Sequence, residues 1–145
     1  MTPRESLDAG RQILDPILNP RGFLFRETGT GKGSGGDFAS GQYEKGNRFI
    51  ELHFRYSLGL VKYHIGALAI RHEDYMRSLL GTSGGNKYPG FSNDPIDEFR
   101  NLSFDLETFS IDFLAGAGEE FLRCVKISEA REKQTGVSKV SEFES

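Results

Sequence analysis

The chain has no tryptophan, one cysteine, two methionines and five prolines among 145 residues. Each shortage excludes something. A single cysteine, Cys124, can form no intrachain disulfide and no four-thiolate metal site, so the fold stands without a covalent staple. Its surroundings, "FLRCVK", carry no cysteine-enzyme signature, and Cys124 reads as a small buried side chain. No apolar run approaches the roughly 18 residues of a membrane span, and the opening "MTPRESLDAG" lacks the basic-then-apolar layout of a secretory leader. A cytoplasmic protein without membrane attachment is expected.

Net charge is small, -3, and uneven along the chain. Met1 to Arg71 holds ten Lys/Arg against seven Asp/Glu, and His72 to Ser145 holds eight against fourteen. The basic surplus of the first half falls short of the clustered footprint of a nucleic-acid binder, so nucleic acid is not expected as a partner. The acidic second half suits a basic protein surface.

What the chain has is phenylalanine, twelve of them, and glycine, eighteen. Its length suits one domain, which at this size buries roughly 68–70% of the unfolded surface. That domain is expected to span residues 1–130. The polar tail 131–145, "REKQTGVSKVSEFES", has little to bury and is expected to be disordered.

Thr2, Pro3 and Glu5 form a capping box with proline at the first helical position, and Leu7, Gly10, Ile13, Leu14, Ile17 and Leu18 continue at helical spacing. Pro16 should kink or restart this helix, with Asp15 as a second cap. From Gly22 the period becomes two, and four strands are expected: Phe23 to Glu27, Asp37 to Lys45, Arg48 to Tyr56 and Val61 to Ile70. Gly46-Asn47 is a two-residue hairpin signal that sets Tyr43 opposite Ile50, Gly41 opposite Leu52 and Ala39 opposite Phe54. A second turn at Ser57 to Leu60 would pair Phe54 with Tyr63 and Leu52 with Ile65. Both hairpins select one apolar face. After Ile70, helices are expected over His72 to Leu80, from Asp94 through Phe113, and over Glu119 to Ala130. The resulting class is α+β: an N-terminal helix, a four-stranded antiparallel meander, and two or three C-terminal helices packed on one sheet face.

The stretch "TGTGKGSGGDF", Thr28 to Phe38, contains G-x-G-x-x-G at Gly31, Gly33 and Gly36. It fails as a Walker loop because Gly33 follows Lys32 where Ser or Thr is needed. It fails as a dinucleotide fingerprint because a strand, not a helix, follows the glycines. The economical reading is a mobile connection between strands, its glycines supplying positive φ angles. No cofactor is expected.

The polar side of the sheet is the candidate site. The pairing above aligns Ser40, His53 and His64, with Gln42 beside Glu51, and Arg55 between Phe38 and Lys62. Two opposed imidazoles would lie close enough to share one metal, with Glu51 as a third ligand. That is the alternative reading: a small-molecule or metal-binding protein, conceivably an enzyme. Ser40 lacks the strand-to-helix elbow of a hydrolase nucleophile, and no catalytic or metal-ligating residue is assigned. Tyr88 and Phe91, in "YPGF", sit on a long glycine-bearing loop where aromatics serve as contact anchors or pack beneath it. His72 reads as a helix-opening residue.

The leading helix, the phrase "ILNPRGFLF" entering the first strand, the meander and the trailing helices together resemble small uncharacterised bacterial proteins proposed as immunity proteins to polymorphic toxins. The resemblance spans about residues 5 to 125 and implies a non-enzymatic cytoplasmic binding protein. The leading expectation is therefore a protein partner, or a second copy, contacting Ser40, Gln42, Glu51, His53, Arg55, Lys62, His64, Tyr88 and Phe91.

Overall fold

The structure, a computed structural model, describes residues 1–33 and 35–144, with side chains described for 1–32 and 35–134. Helix α1 (Pro3–Leu18) starts as its sequence dictates: Thr2 Oγ1 accepts from the Glu5 amide at 3.1 Å, and the Glu5 carboxylate accepts from the Thr2 amide at 3.0 Å. Pro16 does not restart it, since a single helix continues to Leu18. Asp15 is not a cap. Its carboxylate accepts from the Tyr43 hydroxyl at 2.6 Å, tying the helix to the sheet.

Five antiparallel strands follow, ordered β1-β2-β3-β4-β5: Leu24–Gly33, Gly36–Lys45, Arg48–Phe54, Leu58–Ile65 and Leu68–Arg71. The β2–β3 pairing is the one the Gly46-Asn47 turn imposes, with Tyr43 opposite Ile50, Gly41 opposite Leu52 and Ala39 opposite Phe54. The expected fourth strand is two. Gly66 takes φ 59°, which lets the chain turn back at Gly66-Ala67 and pair Ile65 with Leu68.

The β3–β4 register also differs from expectation. Ile50 faces Tyr63, Leu52 faces Val61, and Phe54 faces Leu58, with Gly59 the extra residue of a bulge. The shift from the expected pairing is four residues. An even shift leaves every side chain on its face, so the apolar side survives, but each expected neighbour moves by about 13 Å along the strand.

On that apolar side Ala39, Tyr43, Ile50, Leu52, Phe54, Val61, Tyr63 and Ile70 join the helices in one core. Helix α2 (His72–Leu80) and helix α5 (Glu119–Glu144) pack together, and α5 also meets β5, while α1 lies over β2 and β3. The expected helix through Phe113 is interrupted at Ser110, giving α3 (Ile96–Phe109) and α4 (Ile111–Ala115). Asp94 Oδ1 accepts from the Ile96 amide at 3.0 Å, a side-chain cap for α3. Phe23, Tyr43, Tyr63, Tyr75, Phe99, Phe113 and Phe121 are fully buried, each contributing roughly 1.5–3 kcal/mol by area. Cys124 is among the buried residues, and burial pushes its thiol pKa up. The tail expectation for 131–145 falls largely outside the described side chains. No helix among the described residues is long and apolar enough to cross a membrane.

Candidate functional site

Strand alternation puts Ser40, Gln42 and Glu44 of β2, Phe49, Glu51 and His53 of β3, and Leu60, Lys62 and His64 of β4 on the side away from the core. All stay half-buried, screened by one another rather than by a helical layer. Among the described residues, helices cover one face of the sheet and none covers the other.

The glycine run shapes one end of the open face. Gly29 and Gly31 belong to β1, opposite Ser40 and Phe38. The Phe38 ring lies over both: a Cβ at Gly31 would crowd it at 3.2 Å, while one at Gly29 would meet it at an ordinary contact distance of 3.8 Å. Among the described residues of the run, only Gly36 has a positive φ, 109°. At Gly31 the missing side chain leaves Phe38 room rather than making a turn.

Phe38 in turn stacks on His53, with ring centroids 5.3 Å apart and planes at 22°, and the Arg55 guanidinium lies 5.8 Å from the Phe38 centroid. Ser40 Oγ and His53 Nδ1 are 2.6 Å apart. Beside them a depression of about 420 Å³ is lined by Gly29, Phe38, Ser40, Glu51, His53 and Leu60. Ser40, Glu51, His53 and Arg55, all singled out from sequence, thus gather at one place.

The remaining candidates spread out. His64 faces Phe49, not His53, so the two imidazoles do not share a site; the physical reason is the bulge and the early turn. His64 Nε2 lies 4.0 Å from Glu51 Oε1. Burial depresses the His64 imidazole below its usual range and Lys62 adds to this, while Glu51 opposes it. No group of three or more His, Cys, Asp or Glu side chains suited to a metal occurs among the described residues. Gln42 donates to Glu44 at 2.9 Å, and Glu44 also holds Arg26 at 3.0 Å. Lys62 stands opposite Glu51 and borders a second depression, about 260 Å³, shared with Arg71, Asp74, Glu129 and Glu132.

Tyr88 and Phe91 part company. Tyr88 is 3% exposed, its hydroxyl donating to the Leu58 carbonyl, whereas Phe91 is fully exposed. Their loop is fixed to α3 on the helical side: Asn101 Nδ2 donates to the Pro89 carbonyl at 3.1 Å, and Asp105 accepts from the amides of Lys87 at 2.7 Å and Tyr88 at 2.9 Å. Phe91 is therefore not part of the open sheet face.

Sequence reasoning missed the centre of that clamp. His72 is fully buried, with Nε2 2.8 Å from Asp105 Oδ2 and Nδ1 2.7 Å from the Tyr63 hydroxyl. The Asp105 carboxyl thus meets three polar partners, the two loop amides and the His72 ring, which satisfy it in the interior. The only sequence signal was a histidine at a strand-to-helix junction, and nothing local pointed to its partner 33 residues on. No accessible ligand position adjoins it, and its evident work is to join β4, α2, α3 and the loop.

No family model matches the chain, and neither a curated protein nor a solved structure matches it.

Proposed function

We propose that the chain is a non-catalytic cytoplasmic binding domain that takes up a protein partner on its open sheet face. The carrying observation is the cluster of Phe38, Ser40, His53 and Arg55 on the uncovered side. Stacked aromatics and a guanidinium without a carboxylate partner among the described residues are the side chains that supply most binding energy in protein interfaces. Such groups on a face with no helical layer gain little from folding and much from being covered. The family resemblance of the sequence supports the same reading, with a partner bound to neutralise it. A catalytic role for Ser40 is disfavoured by its setting: it lies mid-strand, without the strained turn that exposes a nucleophile beside oxyanion donors. The metal alternative loses its geometric basis once His53 and His64 are four residues out of alignment.

The test is capture from a bacterial lysate by the wild-type chain and by Arg55→Ala combined with His64→Ala. The double variant should lose the captured partner while its melting temperature stays within a few degrees, because both side chains are partly exposed. Undiminished capture would contradict the assignment.

A further inference from the structure

We propose that the partner is held as an extended strand added to the open edge of β1, with an acidic side chain of that strand reaching Arg55 and the Ser40–His53 pair; this rests on the sheet-face reading above. Strand order leaves β1 at one edge and β5 at the other. The edges differ. β5 has four residues and α5 lies against it, whereas β1 has ten; α1 touches β1 through Arg4–Glu27 and Arg11 over the Phe25 ring, contacts on the core-facing side of the strand. No hydrogen bond beyond the β1–β2 pairing involves a β1 backbone group among the described residues, so the alternate amides and carbonyls on either side of the irregularity at Thr28 are open to another strand.

What the new strand would meet is set by the glycines. Outward positions 29 and 31 of β1 carry no side chain, so Thr28 and Phe38 are the side chains that border the depression on the β1 side of Ser40 and His53. That site offers donors. If Ser40 donates to His53 Nδ1, then Nε2–H is free; if Nδ1–H donates to Ser40, the hydroxyl proton is free. Arg55 adds a charged donor with no carboxylate partner among the described residues. Glu51, the acid lining the depression, has Lys62 at the opposed register position and His64 Nε2 at 4.0 Å, and Asp37, the next acid on β2, stands opposite Lys32, so each acid has a basic side chain at a neighbouring position. An incoming carboxylate therefore matches the unfilled chemistry. A second copy matches it poorly. The outward residues of β1, Leu24, Arg26, Gly29 and Gly31, include no acid, and antiparallel self-pairing centred on Arg26 or Glu27 sets like charges face to face.

The experiment selects binders from a displayed library of random twelve-residue peptides on the intact protein, then measures one synthetic winner by titration and by amide hydrogen exchange. Enriched peptides should carry Asp or Glu, and replacing that acid by its amide, or Arg55 by Ala, should weaken binding roughly tenfold or more. Backbone amides of β1 should become protected. Binding that depends on Arg55 without protection of β1 would overturn strand addition while leaving the sheet-face reading intact. Absence of enrichment, or protection confined to the helices, would overturn both. A free protein that sediments as a dimer with β1 already protected would assign the edge to a second copy and overturn the proposal.

Discussion

Ser40 Oγ lies 2.6 Å from His53 Nδ1 across the β2–β3 pair, and the Phe38 ring stacks on the same imidazole. The pair thus fixes the tilt of the ring that faces the depression. Ser40→Ala should cost only about 0.5–1.5 kcal/mol in urea unfolding, since the bond is partly solvated. Its effect on partner affinity should be larger than that. Equal losses in both would mean the pair merely supports the sheet.

The His72–Asp105 contact should behave oppositely. Asp105→Asn replaces one of the two oxygens that accept from the Lys87 and Tyr88 amides by an NH2 donor, so in either orientation one buried N–H faces a donor. A loss of about 3 kcal/mol or more is expected in chemical unfolding, with faster proteolysis of the 84–95 loop. Partner binding per folded molecule should be unchanged, because the network lies on the covered side.

Gly10 makes a case where packing outweighs propensity. Alanine in a helix interior gains about 1 kcal/mol over glycine, yet a Cβ here would overlap the ring of Phe99, which is fully buried. Overpacking of this kind costs about 1–3 kcal/mol. Gly10→Ala should therefore lower the melting temperature despite the better helix former.

His64 sets a pH dependence. Its folded imidazole is held below the ordinary value of 6.5, chiefly by burial, so the unfolded chain binds the proton first. The stability this group contributes is present above about pH 6.5 and declines as pH falls below it. Unfolding free energies of His64→Gln should fall less steeply between about pH 7 and 5.5 than those of the wild type.

Legibility followed the range of the deciding contact. The α1 start and the β2–β3 register were readable because Thr2-Glu5 and Gly46-Asn47 act within a few residues. The β3–β4 register was not, because Gly59 hides a bulge and Gly66-Ala67 hides a turn inside an apolar run. Face assignment survived that error through parity, which is why Ser40, Glu51, His53 and Arg55 could be named while the His53–His64 pairing could not. Gly31 misled for a related reason: it lies within a strand and packs under Phe38 of the next one. His72 was placed at the start of α2 correctly, but its burial depends on Asp105, far along the chain.

The central claim, that the open sheet face is the binding surface, is tested most directly by site-specific photocrosslinking. A photoreactive residue introduced in place of Gln42, on that face, should yield one covalent adduct with the captured partner, and one in place of Glu107, exposed on α3, should yield none. An adduct at position 107 with none at position 42 would place the partner on the helical side and contradict the account.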